Sequence, residues 1–243
     1  MKHFINIRSI MNKTNRYWVV IPAGGRGERF AASLPKQYVK VKHKTILDHT
    51  LSLFLSHNWI TQIVVANAEM NFIAADYPFK VAWVQSGATR MHSVLNAMHF
   101  LKNKADENDW ILIHDAVRPC LHPTDLMNLV ESLQDDKVGG ILATPVSETL
   151  KFVSQSKITH TVDRAQLWQA QTPQMFRYHI LNEALNYCIK SNIVTTDEAM
   201  ALEELGFNPK VIKAQYPNPK LTYQGDLNTL AALLCQDESL EAV

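Results

Sequence analysis

Short apolar runs alternate with helical patterns along most of this chain, and this alternation constrains the fold more than any other feature. The apolar runs predict strands at Trp18–Ile21, Gln62–Ala66, Val81–Val84, Trp110–Ile113 and Gly140–Ala143. Helical spacing predicts helices between them, at Thr45–Ser56, Met91–Leu101 and Pro123–Leu133. Strands separated by helices are joined by right-handed crossovers. The alternation therefore predicts a Rossmann-like, three-layer α/β fold in which helices cover both faces of a mostly parallel sheet.

The pattern changes between Thr149 and Arg164, where a β-hairpin is predicted. Its strands are Leu150–Val153 and Ile158–Val162, around a polar turn. An isolated two-stranded hairpin is marginally stable in water, so we expect it to pack on its own domain or on another subunit. Further elements are predicted at His179–Lys190 (helix), Asp197–Leu205 (helix), Lys210–Ala214 (strand) and Leu227–Leu234 (helix).

Length and composition predict one domain and narrow the classes of function. The chain has 243 residues, and we assign 17–243 to a single domain with an arm inserted at about 147–166. Residues 1–16 are basic and are predicted to be a disordered extension. The net charge of +1 gives no electrostatic reason to expect nucleic acid or an acidic membrane surface as a partner. The three cysteines are far apart, which argues against a disulfide framework and favours a reducing, cytoplasmic location.

A glycine-rich segment, Pro22-Ala23-Gly24-Gly25-Arg26-Gly27-Glu28-Arg29, follows the first predicted strand, and Lys36 comes shortly after it. Glycines permit positive φ and let backbone N–H groups approach an anion, while Arg29 and Lys36 supply charge where phosphoryl transfer needs it. The segment is neither a Walker motif nor a dinucleotide fingerprint, since Phe30 stands where the third glycine of the latter belongs. Taken alone, it is also compatible with an ordinary turn.

A second loop, His114-Asp115-Ala116-Val117-Arg118-Pro119, directly follows another predicted strand. Ligands of parallel sheets gather at the carboxyl ends of strands, so both loops are candidate ligand contacts. Asp115 is suited to orient a metal or a sugar hydroxyl, and Arg118 to bind a phosphate. The alternative is an Asp–Arg pair that only fixes the loop.

Isolated polar residues farther along the chain have simpler interpretations when each is taken alone. Arg164 fits a surface ion pair, and Lys220 an ordinary solvated lysine. Thr172-Pro173-Gln174 is predicted to be a loop with a free hydroxyl. Asp197 is suited to cap the helix that follows it.

Taken together, these segments resemble the 2-C-methyl-D-erythritol 4-phosphate cytidylyltransferases of the non-mevalonate isoprenoid pathway. The matching motifs are, in order, Pro22-Ala23-Gly24-Gly25-x-Gly-x-Arg29, Pro35-Lys36-Gln37-Tyr38, Gly87-x-x-Arg90-x-x-Ser93-Val94, His114-Asp115-Ala116-x-Arg118-Pro119, Thr161-Val162-Asp163-Arg164-x-x-Leu167-Trp168-x-Ala170-x-Thr172-Pro173-Gln174, Thr196-Asp197-Glu198-Ala199 and Asn218-Pro219-Lys220-Leu221-Thr222. The resemblance implies transfer of CMP from CTP to the sugar-alcohol phosphate with release of pyrophosphate. It also implies Mg²⁺ or another divalent cation, and a homodimer whose hairpin arms interlock.

The resemblance further implies a role for each matching residue. The catalytic positions are Arg29, Lys36, Arg164 and Lys220. The CTP-binding positions are Pro22, Ala23, Gly24, Gly25, Gly27, Gly87, Arg90, Ser93, Asp115 and Ala116. The sugar-phosphate positions are Asp115, Arg118, Thr149, Arg164, Thr172 and Lys220. Asp115 is also the candidate metal ligand, although the metal would be held mainly by the CTP phosphates, and Arg164 would serve the neighbouring subunit's site.

Two segments depart from the family's usual pattern. The residues before Arg90 are Ser86-Gly87-Ala88-Thr89, without the usual second glycine and acids, which leaves the ribose contacts less defined. Thr222-Tyr223-Gln224-Gly225-Asp226-Leu227 lacks the usual proline. Three alternatives stay open: a ribitol-5-phosphate cytidylyltransferase, a non-catalytic nucleotide-sensing protein on the same fold and, more distantly, an NAD-dependent oxidoreductase.

Overall fold

A central seven-stranded sheet organises the structure, a computed structural model that describes residues 15–25, 30, 34–68, 77–78 and 80–240, with side chains to residue 235. The strands of the structure are β1 (Tyr17–Pro22), β2 (Lys40–Val41), β3 (Lys44–Thr45), β4 (Ile60–Asn67), β5 (Val81–Gln85), β6 (Trp110–Ile113), β7 (Gly139–Pro145), β8 (Leu150–Ser154), β9 (Lys157–Val162), β10 (Trp168–Arg177) and β11 (Lys210–Lys213). The order in the central sheet is β11-β7-β10-β6-β1-β4-β5. Only β10 runs antiparallel to its neighbours among the described strands of this sheet.

Six helices are described, and those that flank the sheet cover both of its faces. They are α1 (Ile46–Leu55), α2 (Arg90–Leu101), α3 (Pro123–Leu133), α4 (Tyr178–Lys190), α5 (Glu198–Glu204) and α6 (Asp226–Leu240). The predicted strands and helices are confirmed, mostly with small shifts at their ends. Thr45 and Asp48 form a capping box that starts α1. Gly206, at φ +84°, follows α5 as the predicted stop.

Strand β1 shows why the strands are apolar at consecutive positions. Val19 and Ile21 pack in the core under α1 and α3, whereas Trp18 and Val20 pack in the core under α2 and α4. Successive side chains of a strand point to opposite faces, so a strand between two helical layers must be apolar on both. Because β1 and β6 also run parallel, the loops that follow them lie at the same edge of the sheet.

The predicted loop at Thr172–Gln174 is wrong, because these residues lie inside β10. Proline cannot donate to a ladder and is normally confined to edges or irregularities of a sheet. Pro173 follows this rule locally, since the register of β10 with β7 shifts between Ala170 and Gln174. The strand therefore passes through the middle of the sheet despite its proline.

The predicted arm is a separate two-stranded antiparallel sheet of β8 and β9. Its side chains are largely exposed, including Phe152 at 55% and Ile158 at 65%. Of the predicted basic extension, residues 1–14 lie outside the described part of the chain, and Arg16 forms an ion pair with Asp109 at 3.0 Å. None of the helices described is long and apolar enough to cross a membrane.

Candidate active site

The carboxyl ends of β1, β5 and β6 face a cleft of about 190 Å³, here called the first cleft. The predicted residues that line it are Pro22, Ala23, Gly24, Gly25, Lys36, Gly87, Arg90, Ser93, Asp115, Ala116 and Lys220. Two other predicted residues, Gly27 and Arg29, lie outside the described residues. The structure thus brings together segments that are almost 200 positions apart in the sequence. Those that follow β1, β5 and β6 meet at one edge of the sheet, as the parallel-sheet rule predicts.

Close packing explains the glycines that border the first cleft. A Cβ on Gly24 would lie 2.3 Å from the Cβ of Ser86, and one on Gly87 would lie 2.3 Å from that of His92. Gly24 and Gly25 do not adopt positive φ, so the backbone freedom that glycine permits is not used at these two residues. Gly24 is needed because the loops after β1 and β5 touch.

Buried polar side chains fix the floor of the first cleft. The Gln37 amide donates to the Ala23 carbonyl at 2.7 Å, and the Tyr38 hydroxyl donates to Asn67 Oδ1 at 2.6 Å. The Ala23 N–H donates in turn to the Ala66 carbonyl at 2.7 Å. The short 3₁₀ helix at Lys36–Tyr38 thereby ties the loop after β1 to the neighbouring strand.

Asp115 is the electrostatic centre of the site. Its carboxylate accepts from Arg90 at 3.2 Å, from Arg118 at 3.4 Å and from Lys220 at 2.8 Å. Burial alone would raise the pKa of this carboxyl, but the neighbouring cations outweigh burial and hold the pKa well below its usual range. Asp115 is therefore ionised and gathers side chains from three separate segments at one point.

Arg90 bridges two carboxylates, because it also donates to Glu198 at 2.6 Å. Glu198 is almost completely buried, at 1% exposure. Burial opposes the charge on Arg90, but the two carboxylates raise its pKa overall, so the guanidinium stays charged. Arg90 consequently links the start of α2 to the start of α5 beside the first cleft.

Lys36 and Lys220 approach each other from opposite ends of the chain. The Lys36 ammonium donates to the Leu221 carbonyl at 2.9 Å, next to Lys220. The alternative interpretation of Lys220 as an ordinary solvated lysine does not hold, because its ammonium contacts Asp115 at 2.8 Å. Both amines line the first cleft, so two positive charges meet there in addition to Arg90.

A second cleft adjoins the first and shares Arg90, Asp115 and Lys220 with it. Arg118 and Thr172 line only the second cleft. The Arg118 guanidinium also donates to the Asn218 carbonyl at 2.6 Å, which fixes it against the segment that carries Lys220. The shared wall places two clefts lined with basic side chains next to each other.

Thr172 is buried, and the predicted free hydroxyl at this position is wrong because the hydroxyl is hydrogen-bonded. The hydroxyl accepts from the Asp115 N–H at 3.1 Å and lies 3.1 Å from Nδ1 of His114. The sequence analysis found no role for this histidine or for Gln174. Gln174 accepts from the N–H groups of Glu198 and Ala199 at the start of α5. The position of His114, directly after a strand and before Asp115, was the signal available in the sequence.

Arg164 and Thr149 do not line either cleft of this chain. Arg164 is exposed and donates to the Ser147 carbonyl at the base of the arm. Asp197 caps α5, as predicted, by accepting from the Met200 N–H at 3.0 Å. Among the predicted site residues that the structure describes, Arg164 and Thr149 are thus the two that lie outside both clefts.

Asp115 by itself does not fit a metal site built by the protein. One of its oxygens faces Arg90 and the other faces both Arg118 and Lys220. Within the described ranges, no group of three or more His, Cys, Asp or Glu residues is placed to hold a metal ion. Mg²⁺ binds readily through one or two carboxylates together with substrate phosphates, so a metal held by Asp115 would need further oxygen ligands from a substrate.

The parallel sheet, the loop after β1 and the converging lysines define an α/β nucleotidyltransferase. Comparison with known proteins identifies the family: residues 17–236 match the model of IspD, 2-C-methyl-D-erythritol 4-phosphate cytidylyltransferase. The chain belongs to this family, and it is a cytidylyltransferase that uses CTP.

Individual relatives are similar to this chain over most of their length. The enzyme of that name from Actinobacillus pleuropneumoniae is 44% identical over 229 residues, which cover 92% of this chain and 98% of the relative. The Vibrio vulnificus enzyme is 43% identical over 214 residues, which cover 86% of this chain and 90% of that relative. The crystal structure of the Francisella tularensis enzyme superposes with a TM-score of 0.81 at 35% identity, covering 90% of this chain and all of that one. The resemblance found in the sequence is thereby confirmed.

Proposed function

We propose that the two clefts transfer CMP from CTP to 2-C-methyl-D-erythritol 4-phosphate by in-line attack on the α-phosphate. The acceptor phosphate oxygen forms the new P–O bond as the bond to pyrophosphate breaks. One observation carries the proposal: Arg90, Arg118 and Lys220 converge on Asp115 at the wall between two adjoining clefts. Two anionic reactants repel each other, so catalysis depends on cations that hold them in line.

The first cleft is suited to CTP. Pro22–Gly25 lines it, and Lys36 reaches it from the 3₁₀ helix. The Lys36 ammonium now contacts a neutral carbonyl, and a phosphate oxygen is a stronger, charge-assisted acceptor. We assign Lys36 to the charge that develops on the α-phosphate, together with Arg29, whose role rests on the family motif.

The second cleft is suited to the sugar phosphate. Arg118 and Lys220 supply positive charge on its wall, and Thr172 lines it. Because Asp115 fixes both cations, the acceptor enters a site that is already arranged. Preformed geometry lowers the entropic cost of bringing the two substrates together.

Mg²⁺ is proposed to enter with CTP and to be held chiefly by the triphosphate oxygens. Asp115, which lines both clefts, supports this assignment, since its carboxylate is already paired with cations. When bound, the metal neutralises charge on the phosphates. The side chains of this chain then supply orientation, with Lys36 on the nucleotide side and Lys220 on the acceptor side.

A homodimer through the arm is proposed as the active form, and its location as the cytoplasm. The exposed apolar side chains of β8 and β9 support the first proposal, because a two-stranded hairpin needs a packing partner. In such a dimer, Arg164 and Thr149 would reach the partner's second cleft. The widely spaced cysteines support a reducing compartment.

Pyrophosphate release is the test of the proposed reaction. Purified enzyme with CTP and Mg²⁺ is offered 2-C-methyl-D-erythritol 4-phosphate, ribitol 5-phosphate and erythritol 4-phosphate in parallel. We expect fastest turnover with the methylerythritol compound. Faster turnover of ribitol 5-phosphate would reassign the substrate, and CTP binding without pyrophosphate release would favour a nucleotide-sensing protein.

A further inference from the structure

We propose that His114, in its neutral form, is a positioning residue that holds the Asp115–Arg118 turn in the shape the acceptor phosphate requires. The proposal rests on the proposed function and assigns a role to a side chain that touches neither substrate. It starts from the place of His114 at the end of β6, where the ring is fully buried and its backbone N–H donates to the Val20 carbonyl at 2.9 Å.

The ring partners define which nitrogen carries the proton. Nε2 lies 3.0 Å from the Arg118 carbonyl, which can only accept, so Nε2 must be the donor. Nδ1 of the neutral ring then accepts from the Thr172 hydroxyl at 3.1 Å. With its proton so directed, that hydroxyl uses a lone pair to accept the Asp115 N–H at 3.1 Å.

These contacts close a ring of hydrogen bonds around the turn. The Arg118 N–H donates to the Asp115 carbonyl at 3.1 Å, so the two residues are joined both directly and through His114 and Thr172. The Thr172 carbonyl also accepts from the Asn218 amide at 2.8 Å. The β6 loop, β10 and the segment before Lys220 therefore share one network.

The surroundings of the ring keep it neutral. Burial lowers the pKa of His114 to about 4, and the charges of Arg118 and Arg90 act in the same direction, while the carbonyl contact and Asp115 oppose it. Phe54 from α1 packs edge-on against the ring with centroids 5.1 Å apart. Protonation would turn Nδ1 from an acceptor into a donor and break the contact with the Thr172 hydroxyl.

The network supports the acceptor side more than the nucleotide side. Arg118 and Thr172 line the second cleft, whereas the loop after β1 is fixed independently by Gln37 and Tyr38. A loosened turn would displace Arg118, while the loop after β1 keeps its own hydrogen bonds to Gln37 and Ala66. The expected effect is thus a change in use of the sugar phosphate with little change in CTP binding.

Two substitutions separate positioning from packing. His114→Phe keeps an aromatic ring but removes both hydrogen bonds, and we expect KM for 2-C-methyl-D-erythritol 4-phosphate to rise about tenfold or more, with KM for CTP changed less than threefold. His114→Gln retains a donor toward the Arg118 carbonyl and should recover part of the loss. His49→Phe is the control, because His49 also contacts a backbone carbonyl, that of Val41, but lies outside both clefts.

A spectroscopic measurement on the wild-type chain tests the inference without turnover. In ¹⁵N-histidine-labelled enzyme we expect His114 to be neutral with the proton on Nε2 at pH 7. A proton on Nδ1, or equal KM changes for both substrates in His114→Phe, would overturn the proposal. If the wild-type enzyme releases no pyrophosphate, the proposed reaction fails, and the tautomer result still decides the hydrogen-bond assignment.

Discussion

Replacing Asp115 with asparagine removes the charge on which three cations converge, and we expect the free energy of unfolding to fall. The Asp115 side chain is 9% exposed, and removing one partner of a buried ion pair costs about 3–5 kcal/mol. Lys220 is 36% exposed and partly screened by solvent, and Arg90 keeps Glu198 as a partner. We therefore expect a destabilisation at the lower end of this range, about 3 kcal/mol. For a chain of this size it corresponds to a fall of about 6–12 °C in Tm.

Urea unfolding followed by tryptophan fluorescence, with a thermal scan at pH 7, measures this loss. Asp106→Asn is the matched control, since Asp106 also pairs with an arginine but is 80% exposed, and it should cost less than about 1 kcal/mol. Because the folded pKa of Asp115 is depressed, its stabilisation is fully present above the pKa of the unfolded chain and is lost as pH falls through the folded value. Asp115→Asn within 1 kcal/mol of wild type at pH 7, or equal losses in both variants, would refute this reasoning.

Three further predictions concern the clefts and the arm. In steady-state kinetics, Lys36→Ala should lower kcat about 100-fold or more, with KM for CTP nearly unchanged. Lys40 is exposed, so Lys40→Ala is the control and should leave both constants unchanged. A change confined to KM would contradict the role of Lys36. Gly24→Ala should destabilise the fold by about 1–3 kcal/mol in urea unfolding because its Cβ meets Ser86. Gly25→Ala, whose Cβ would meet no atom of the described residues within 4 Å, should stay within about 0.5 kcal/mol. Equal effects would show that close packing is not the reason for Gly24. Arg164→Ala should weaken use of the sugar phosphate with normal CTP binding by calorimetry, and mixing it with Lys36→Ala subunits should restore activity. No recovery in verified heterodimers would count against an arm shared between subunits.

The strand–helix alternation and the meeting of the loops after β1 and β6 were predictable from the sequence because both follow from chain direction, whereas the other residues of the first cleft were implied by the family resemblance. Apolar runs such as that of β1 end where the sheet ends, so the loops they enter must meet at one edge. The pairing of Asp115 with Lys220 was not predictable, since the two residues are linked only through the tertiary structure. Local patterns carry no information about which distant cation a carboxylate will face.

The errors have specific physical causes. Pro173 marks a loop by local rules, yet an irregularity in the register with β7 accommodates it inside β10. Thr172 then becomes buried, and its hydroxyl is paired with His114 rather than exposed. The sequence analysis explained the glycine at position 24 by backbone freedom, whereas in the structure the neighbouring Ser86 excludes a side chain there. In each case the deciding contact comes from another segment of the fold.

A crystal structure with 2-C-methyl-D-erythritol 4-phosphate and a non-hydrolysable CTP analogue tests the convergence of basic side chains most directly. The account predicts the Lys36 ammonium within hydrogen-bond distance of the α-phosphate, with Lys220 and Arg118 facing the acceptor phosphate. An α-phosphate bound beyond the reach of Lys36, or an acceptor phosphate seated away from Arg118 and Lys220, would contradict it.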